Sequence, residues 1–117
     1  MISSIFRFHG HNSLRYVYAN GKAVRSNMFT IKWTKNSHRK NARVSVVVSK
    51  KIFKKAVSRN RIRRRVYEYV RTNLEKLNDN YDIVVIVTSQ DPKTVESAEL
   101  FKELDQLFIK ADLYKTS

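Results

Sequence analysis

Apolar residues recur along this chain with two different periods. Phe29, Ile31 and Trp33 alternate with Thr30, Lys32 and Thr34, and Val44, Val46 and Val48 alternate with Ser45, Val47 and Ser49. A period of two predicts two half-buried strands. Ile83 to Val87 is a continuous apolar run, the pattern of a central strand covered on both faces. Between them the period lengthens. Ile62, Val66, Tyr69, Val70 and Leu77 lie at offsets of 4, 7, 8 and 15, which is one face of a helix running from about Phe53 to Leu77. Leu14, Val17 and Tyr18 predict a short first helix that Asn12 or Ser13 caps. Asn20-Gly21 ends it, with glycine free to take the left-handed C′ conformation. Lys22 to Ser26 reads as a short strand and Asn36 to Asn41 as a polar basic loop. Asn78-Asp79-Asn80 closes the long helix, and Asp91-Pro92 breaks the chain again. Leu100, Leu104, Leu107, Phe108 and Ala111 then mark a last amphipathic helix.

The predicted order is α-β-β-β-α-β-α. It describes a single α/β (α+β) two-layer sandwich over residues 1–117, with residues 1–11 as an arm ahead of the first helix. No linker, repeat or low-complexity segment divides it. Strand 43–49, helix 53–77 and strand 82–88 form a β-α-β unit, so those two strands should run parallel. A chain of 117 residues is long enough to bury a core without staples.

Charge changes the picture. The net charge is +14, and every Asp and Glu lies at Glu68 or later. Residues 1–67 carry 18 Lys and Arg and no acid, whereas residues 68–117 are net −4. One part of the chain is built to meet a polyanion, and the other is amphipathic scaffold. The density peaks in Lys50 to Arg65, where nine of sixteen residues are basic. Ile52, Phe53, Val57 and Ile62 punctuate that run, so it is a folded element with one buried side and not a solvated tail. Solvated helix faces usually mix signs to gain i,i+4 pairs. Here Arg61, Arg63, Arg64 and Arg65 crowd each other, and an external polyanion relieves their repulsion. Arginine also suits bidentate phosphate and base-edge contacts. Asn60 can donate and accept there, or simply cap locally. Arg59 and Arg63 fall near the apolar edge, where their stems can lie along it.

Other chemistries fare worse. With no cysteine there is no disulfide framework and no Cys-based metal site. His9, His11 and His38 have no acidic companions at ligand spacing. The basic part holds none of the clustered acids a protein nuclease needs for metal ions. Asp79, Asp82 and Asp91 read as boundary residues. No catalytic set of amino acids emerges. Phe6, Phe8, Tyr16 and Tyr18 lie near the basic surface, where aromatics stack on single-stranded bases. Core packing is the competing use, and Val17 belongs to the core. No signal peptide or membrane-length apolar run is apparent, so the expected location is cytoplasmic.

The motif itself is informative. Ser49-Lys50-Lys51, followed by Lys55-Ala56-Val57-Ser58-Arg59-Asn60-Arg61-Ile62-Arg63-Arg64, resembles the signature of the bacterial ribonuclease P protein family. The likeness extends over nearly the whole chain, from Leu14–Gly21 to the final helix at Leu100–Phe108. It departs at Arg63, where the family usually has Lys, and at Phe53-Lys54, where many members have Gly. The N-terminal arm is also less basic than is typical.

The resemblance implies a small basic protein whose partner, a large RNA, is the catalyst. The holoenzyme hydrolyses one phosphodiester of precursor tRNA and releases the 5′ leader, with Mg2+ held mainly by the RNA. Carried over, Lys50, Lys51, Lys55, Arg59, Asn60, Arg61, Arg63 and Arg64 would face the catalytic RNA. A cleft with Leu14, Tyr18, Lys32 and Ser49 would hold the leader. The implied fold is a ribosomal protein S5 domain 2-like sandwich, with a four-stranded mixed sheet and a left-handed β-α-β crossover, against the usual right-handed rule. The competing class is a non-catalytic RNA-binding protein, such as a ribosomal protein or RNA chaperone with the same fold. A DNA-binding role fits less well, since no helix-turn-helix pair precedes the basic helix.

Overall fold

In the computed structural model, which describes residues 11–35, 41–78 and 80–115, three helices flank a four-stranded sheet. The order is α1 (His11–Asn20), β1 (Lys22–Arg25), β2 (Phe29–Lys35), β3 (Arg43–Val48), α2 (Ala56–Asn73), β4 (Tyr81–Val87) and α3 (Ser97–Lys110). This is the predicted order. Across the sheet the strands run β1-β2-β4-β3. β4 is central, antiparallel to β2 and parallel to β3. Its run Ile83 to Val87 earns that place because an all-apolar strand needs cover on both faces.

The two faces are used differently. Phe29, Ile31, Val44, Val46, Val48, Ile83, Val85 and Val87 share one buried cluster with Ile62, Val66, Tyr69 and Val70 of α2 and Leu100, Leu104, Leu107 and Phe108 of α3. On the other face Val17 of α1 packs on Val84, with Leu14, Val47 and Ile86 half-buried around them. Thr30 and Thr34 on that face are buried and Lys32 is half-buried, so this side of β2 is not a plain solvated strand face.

Helix α2 is shorter than predicted at both ends, and each end has a cause. Before it, the amides of Ile52 and Phe53 both bond to the Ser49 carbonyl, winding a turn that buries Phe53 outside the helix. After it, Thr72 Oγ1 and Asn73 Nδ2 both donate to the Tyr69 carbonyl at 2.8 Å. Side-chain donors of this kind draw the carbonyl away from the helical ladder. The chain tightens into a 3-10 turn at Leu74–Lys76, and Leu77 reaches the core as extended backbone bridged to Tyr114. Leu77 therefore shares the buried face of Ile62 without sharing its helix. Val57, expected on the buried side, is 75% exposed, because the stripe Ser58, Ile62, Val66 runs one position later.

Gly21 ends α1 for a reason other than the predicted one. Gly21 has no positive φ; among the described residues only Asp112, at φ 57°, takes the left-handed conformation. Gly21 is required by proximity: its amide bonds to the Val17 carbonyl at 2.8 Å, and a Cβ would stand 2.5 Å from that oxygen and 2.9 Å from the Trp33 carbonyl. Both obstacles are backbone. Gly21→Ala must lift α1 from β2, at a cost of about 2 kcal/mol and roughly 6–10 °C of melting temperature. A calorimetric scan of the variant checks this; an unchanged midpoint would mean that α1 is not seated as described. The capping side chains proposed for α1, Asn12 and Ser13, lie outside the described residues, as do the arm to residue 10 and loop residues 36–40.

Polar contacts lock the layers together. Arg43 and Asp82, register partners on β3 and β4, form a bidentate pair at 2.9 and 2.8 Å. Asp82 is thus a buried structural acid and not a strand boundary. Glu103 of α3 accepts from Ser26 Oγ at 2.5 Å and from the Met28 amide at 2.9 Å, tying α3 to the β1–β2 turn. The Tyr69 and Tyr114 hydroxyls meet at Asp105. Burial first, then the Asp105 carboxylate, pushes the Tyr69 phenol upward, and burial pushes Tyr114 up to about 12.

Candidate nucleic-acid interface

The arginines of α2 separate by environment into three roles. Arg59 is a positioning residue: its guanidinium donates to the carbonyls of Phe53 at 2.9 Å and Lys54 at 2.8 Å, pinning the β3–α2 loop to the first turns of the helix. Arg65 donates to the carbonyls of Pro92 and Val95, clamping α2 to the β4–α3 connection. Burial, and secondarily the charge of Arg61, lowers the Arg65 pKa from its ordinary value. That second cause is the predicted repulsion within the arginine cluster.

Arg61 and Arg64 are exposed and make no hydrogen bond or ion pair among the described residues. Glu68 is the first acid along α2, but it is bound by Arg71 at 2.5 Å. The Arg71 hydrogen bond also holds the Glu68 carboxyl below its ordinary range. The helix surface around Arg61 and Arg64 is therefore left cationic. Arg63, half-buried as its position predicted, donates to Asn60 Oδ1 at 3.0 Å. That bond aims the Asn60 carbonyl at the protein and leaves its amide outward. Lys50, Lys51 and Lys55 are exposed on the pinned loop.

The second predicted group lies across the sheet from α2. Lys32 Nζ sits 5.2 Å from the centroid of the Tyr18 ring, a cation–π distance. Burial raises the Tyr18 pKa, so its hydroxyl stays protonated at neutral pH, and the ring is 39% exposed. Leu14 packs half-buried on the Val17–Val84 cluster, so it forms apolar floor. Ser49 stands apart at the end of β3, where its hydroxyl accepts the Lys51 amide at 3.0 Å and shapes the loop. Of the four cleft residues, Tyr18 and Lys32 come together directly.

The fold also gathers residues that no spacing rule selects. Lys54 and Lys93, with Ser58, Gln90 and Thr94, line a concavity of about 530 Å³ at the start of α2. Lys93 and Gln90 arrive from the β4–α3 connection, some thirty residues downstream, and only tertiary structure brings them there. Among the described residues no three His, Asp or Glu gather. His9 and His38 lie outside them, as does the side chain of His11. No helix among them is long and apolar enough to cross a membrane.

Comparison with known proteins agrees with this geometry. The Ribonuclease P family model matches residues 5–112. The ribonuclease P protein component of Prochlorococcus marinus strain AS9601 is 33% identical over 124 residues, covering 93% of this chain and 94% of that one. The Fusobacterium nucleatum component is 34% identical over 95 residues, covering 79% and 84%. Among solved structures, the Staphylococcus aureus RNase P protein superposes with a TM-score of 0.84 at 24% identity, over 94% of this chain and 98% of that one. The Thermotoga maritima RNase P protein gives 0.75 at 27% identity, over 86% and 94%.

Proposed function

This chain belongs to the ribonuclease P protein family, and we propose that it binds that enzyme's catalytic RNA through α2 and the leader of precursor tRNA across the opposite sheet face. The family makes it an accessory subunit of an endoribonuclease in tRNA processing. One observation carries the assignment of the RNA face. Among the described residues Arg61 and Arg64 have no acidic partner, and Glu68, the first acid along α2, is taken by Arg71. A dense cationic surface without internal counterions gains most from displacing the counterions of a polyanion. Arg59 holds the loop carrying Lys50, Lys51 and Lys55 against the same end of the helix, so those cations are presented in a fixed arrangement.

In this reading the protein supplies binding and position, and the RNA supplies catalysis. No step of phosphodiester hydrolysis is assigned to a side chain. Magnesium would be held mainly by the RNA, as the family resemblance implies. Tyr18 and Lys32 offer the leader a ring face for stacking and a cation for phosphate.

The test is discrimination by the leader. Tyr18→Ala should weaken the holoenzyme's affinity for precursor tRNA with a leader by roughly 5- to 100-fold, the range for loss of one base-stacking contact. Affinity for mature tRNA should not change. Equal weakening for both ligands would remove the leader from this face and leave the family assignment standing.

A further inference from the structure

We propose that a hollow at the end of the sheet, between the last turns of α1 and the ends of β1, β2 and β4, is a pocket for one unpaired nucleobase and its phosphate, with the Thr34 hydroxyl as its hydrogen-bonding group. The hollow is lined by no residue of α2 and by neither Tyr18 nor Lys32, so it is separate from both surfaces described above. Its chemistry stands on its own residues. Only the source of the nucleotide, a single-stranded stretch of the catalytic RNA or of precursor tRNA, rests on the RNA-binding reading above.

Three observations converge. The first is a buried polar atom with nothing to bind. Thr34 is 8% exposed, and its Oγ1 is the one buried side-chain oxygen or nitrogen among the described residues without a hydrogen-bond partner. Its neighbour across the ladder, Asp82, is a strong acceptor, but Arg43 holds both Asp82 oxygens from β3, on the far side of β4. A hydroxyl left unsatisfied lowers stability, and a ligand that reaches it recovers the loss.

Second, Thr34 does not face closed packing. It lines a hollow of about 340 Å³, within the roughly 300–1,000 Å³ of sites that take small ligands. Tyr16, Trp33 and Tyr81 line it too. Trp33 and Tyr81 are anchored on the main core, whereas Tyr16 is 59% exposed. Asn20 Nδ2 donates to the Tyr16 carbonyl at 3.1 Å, which fixes that side chain and leaves its oxygen as an acceptor. Aromatic residues beside a few polar atoms offer an unpaired base both stacking and edge contacts.

Third, the rim is cationic. Lys22 stands opposite Trp33 in the β1–β2 ladder and Lys35 opposite Tyr81 in the β2–β4 ladder, and both are exposed. Neither makes a hydrogen bond or ion pair among the described residues, and no lining residue among them is acidic. Cations beside aromatic walls match a nucleotide, which carries phosphate and base together, better than an uncharged ligand.

The experiment titrates the full isotope-labelled chain with uridine and adenosine 5′-monophosphates at constant ionic strength. It follows Trp33 emission and the amide resonances of Asn20, Lys22, Thr34 and Lys35. Trp33 is the only tryptophan of the chain, so its emission reports on this hollow. Saturable quenching by at least one nucleotide, with shifts centred on these amides, is expected; inorganic phosphate should not quench. Thr34→Val should weaken nucleotide binding about three- to tenfold, the loss of one hydrogen bond, while the melting temperature holds or rises because no internal partner is lost. Tyr16→Ala should weaken it roughly 5- to 100-fold. Lys102→Ala, which removes a charge from exposed α3, should not. No saturable response to either nucleotide, or unchanged affinity in the Thr34 and Tyr16 variants, would overturn the pocket. A lowered melting temperature in Thr34→Val would overturn the unsatisfied hydroxyl on which it is built.

A second arm combines Tyr16→Ala with Thr34→Val. Weaker binding of the catalytic RNA would assign that strand as the source, and weakening confined to leader-bearing precursor tRNA in the holoenzyme would assign the leader. Loss of nucleotide binding with every RNA affinity unchanged would overturn RNA as the occupant. Nucleotide binding by a wild-type chain that fails to bind the catalytic RNA would overturn the RNA-binding reading and leave the pocket.

Discussion

Reversing charge at Arg61 and Arg64 together, as Arg61→Glu with Arg64→Glu, should weaken binding of the catalytic RNA by a factor on the order of 100 or more while the domain stays folded. Each phosphate contact contributes about tenfold at 0.1 M salt through counterion release, and two are removed. Reversal adds repulsion to that loss. The fold should survive because both side chains are exposed and make no hydrogen bond or ion pair among the described residues. Indeed, removing Arg61 relieves a charge that depresses the Arg65 pKa. Filter binding across a salt series, beside a thermal melt, reads both halves. Normal affinity in the double variant would mean that RNA meets a different face. By contrast, Arg59→Glu should damage binding through the loop, because Arg59 is held by two carbonyls and not by solvent.

The second large effect concerns stability. Val66 is fully buried on the α2 stripe, between helix and sheet. Val66→Asp places a carboxylate there with no partner. Burying an unpaired charge costs several kcal/mol even after water penetrates or the group takes up a proton. A cost of about 4 kcal/mol or more removes much of the 5–15 kcal/mol that holds an ordinary domain together. The variant should be unfolded or nearly so at 37 °C, with circular dichroism losing its cooperative transition. A wild-type melting curve would show that the register of α2 is wrong.

These two predictions differ in how legible their residues were. Val66 followed from period alone, as did Ile62 and Val70, because burial of a helix face leaves a repeat in the sequence. The strands were equally plain, and β4 announced its central place by losing alternation. The roles within the basic stretch were not legible. Arg59, Arg61 and Arg65 look alike in a sequence, yet one pins a loop, one has no partner among the described residues and one clamps a connection. What separates them is which carbonyls the fold brings near, and that depends on residues from Phe53 to Val95.

Gly21 teaches the same lesson in reverse. The sequence marked it as special, but the requirement is clearance from Val17 and Trp33 rather than a left-handed turn. The Arg71–Glu68 pair was hidden too, since i,i+3 spacing permits it without demanding it. Nothing in the chain before Gln90 hinted that Lys93 would stand beside Lys54.

The most direct test of the central claim is cleavage of a 5′-labelled precursor tRNA by the cognate catalytic RNA at low millimolar magnesium, with and without this protein. The account predicts strong stimulation, with the cut at the mature 5′ end. Tight, salt-sensitive RNA binding without any stimulation would contradict it, and would make this chain an RNA-binding protein that shares the fold but not the role.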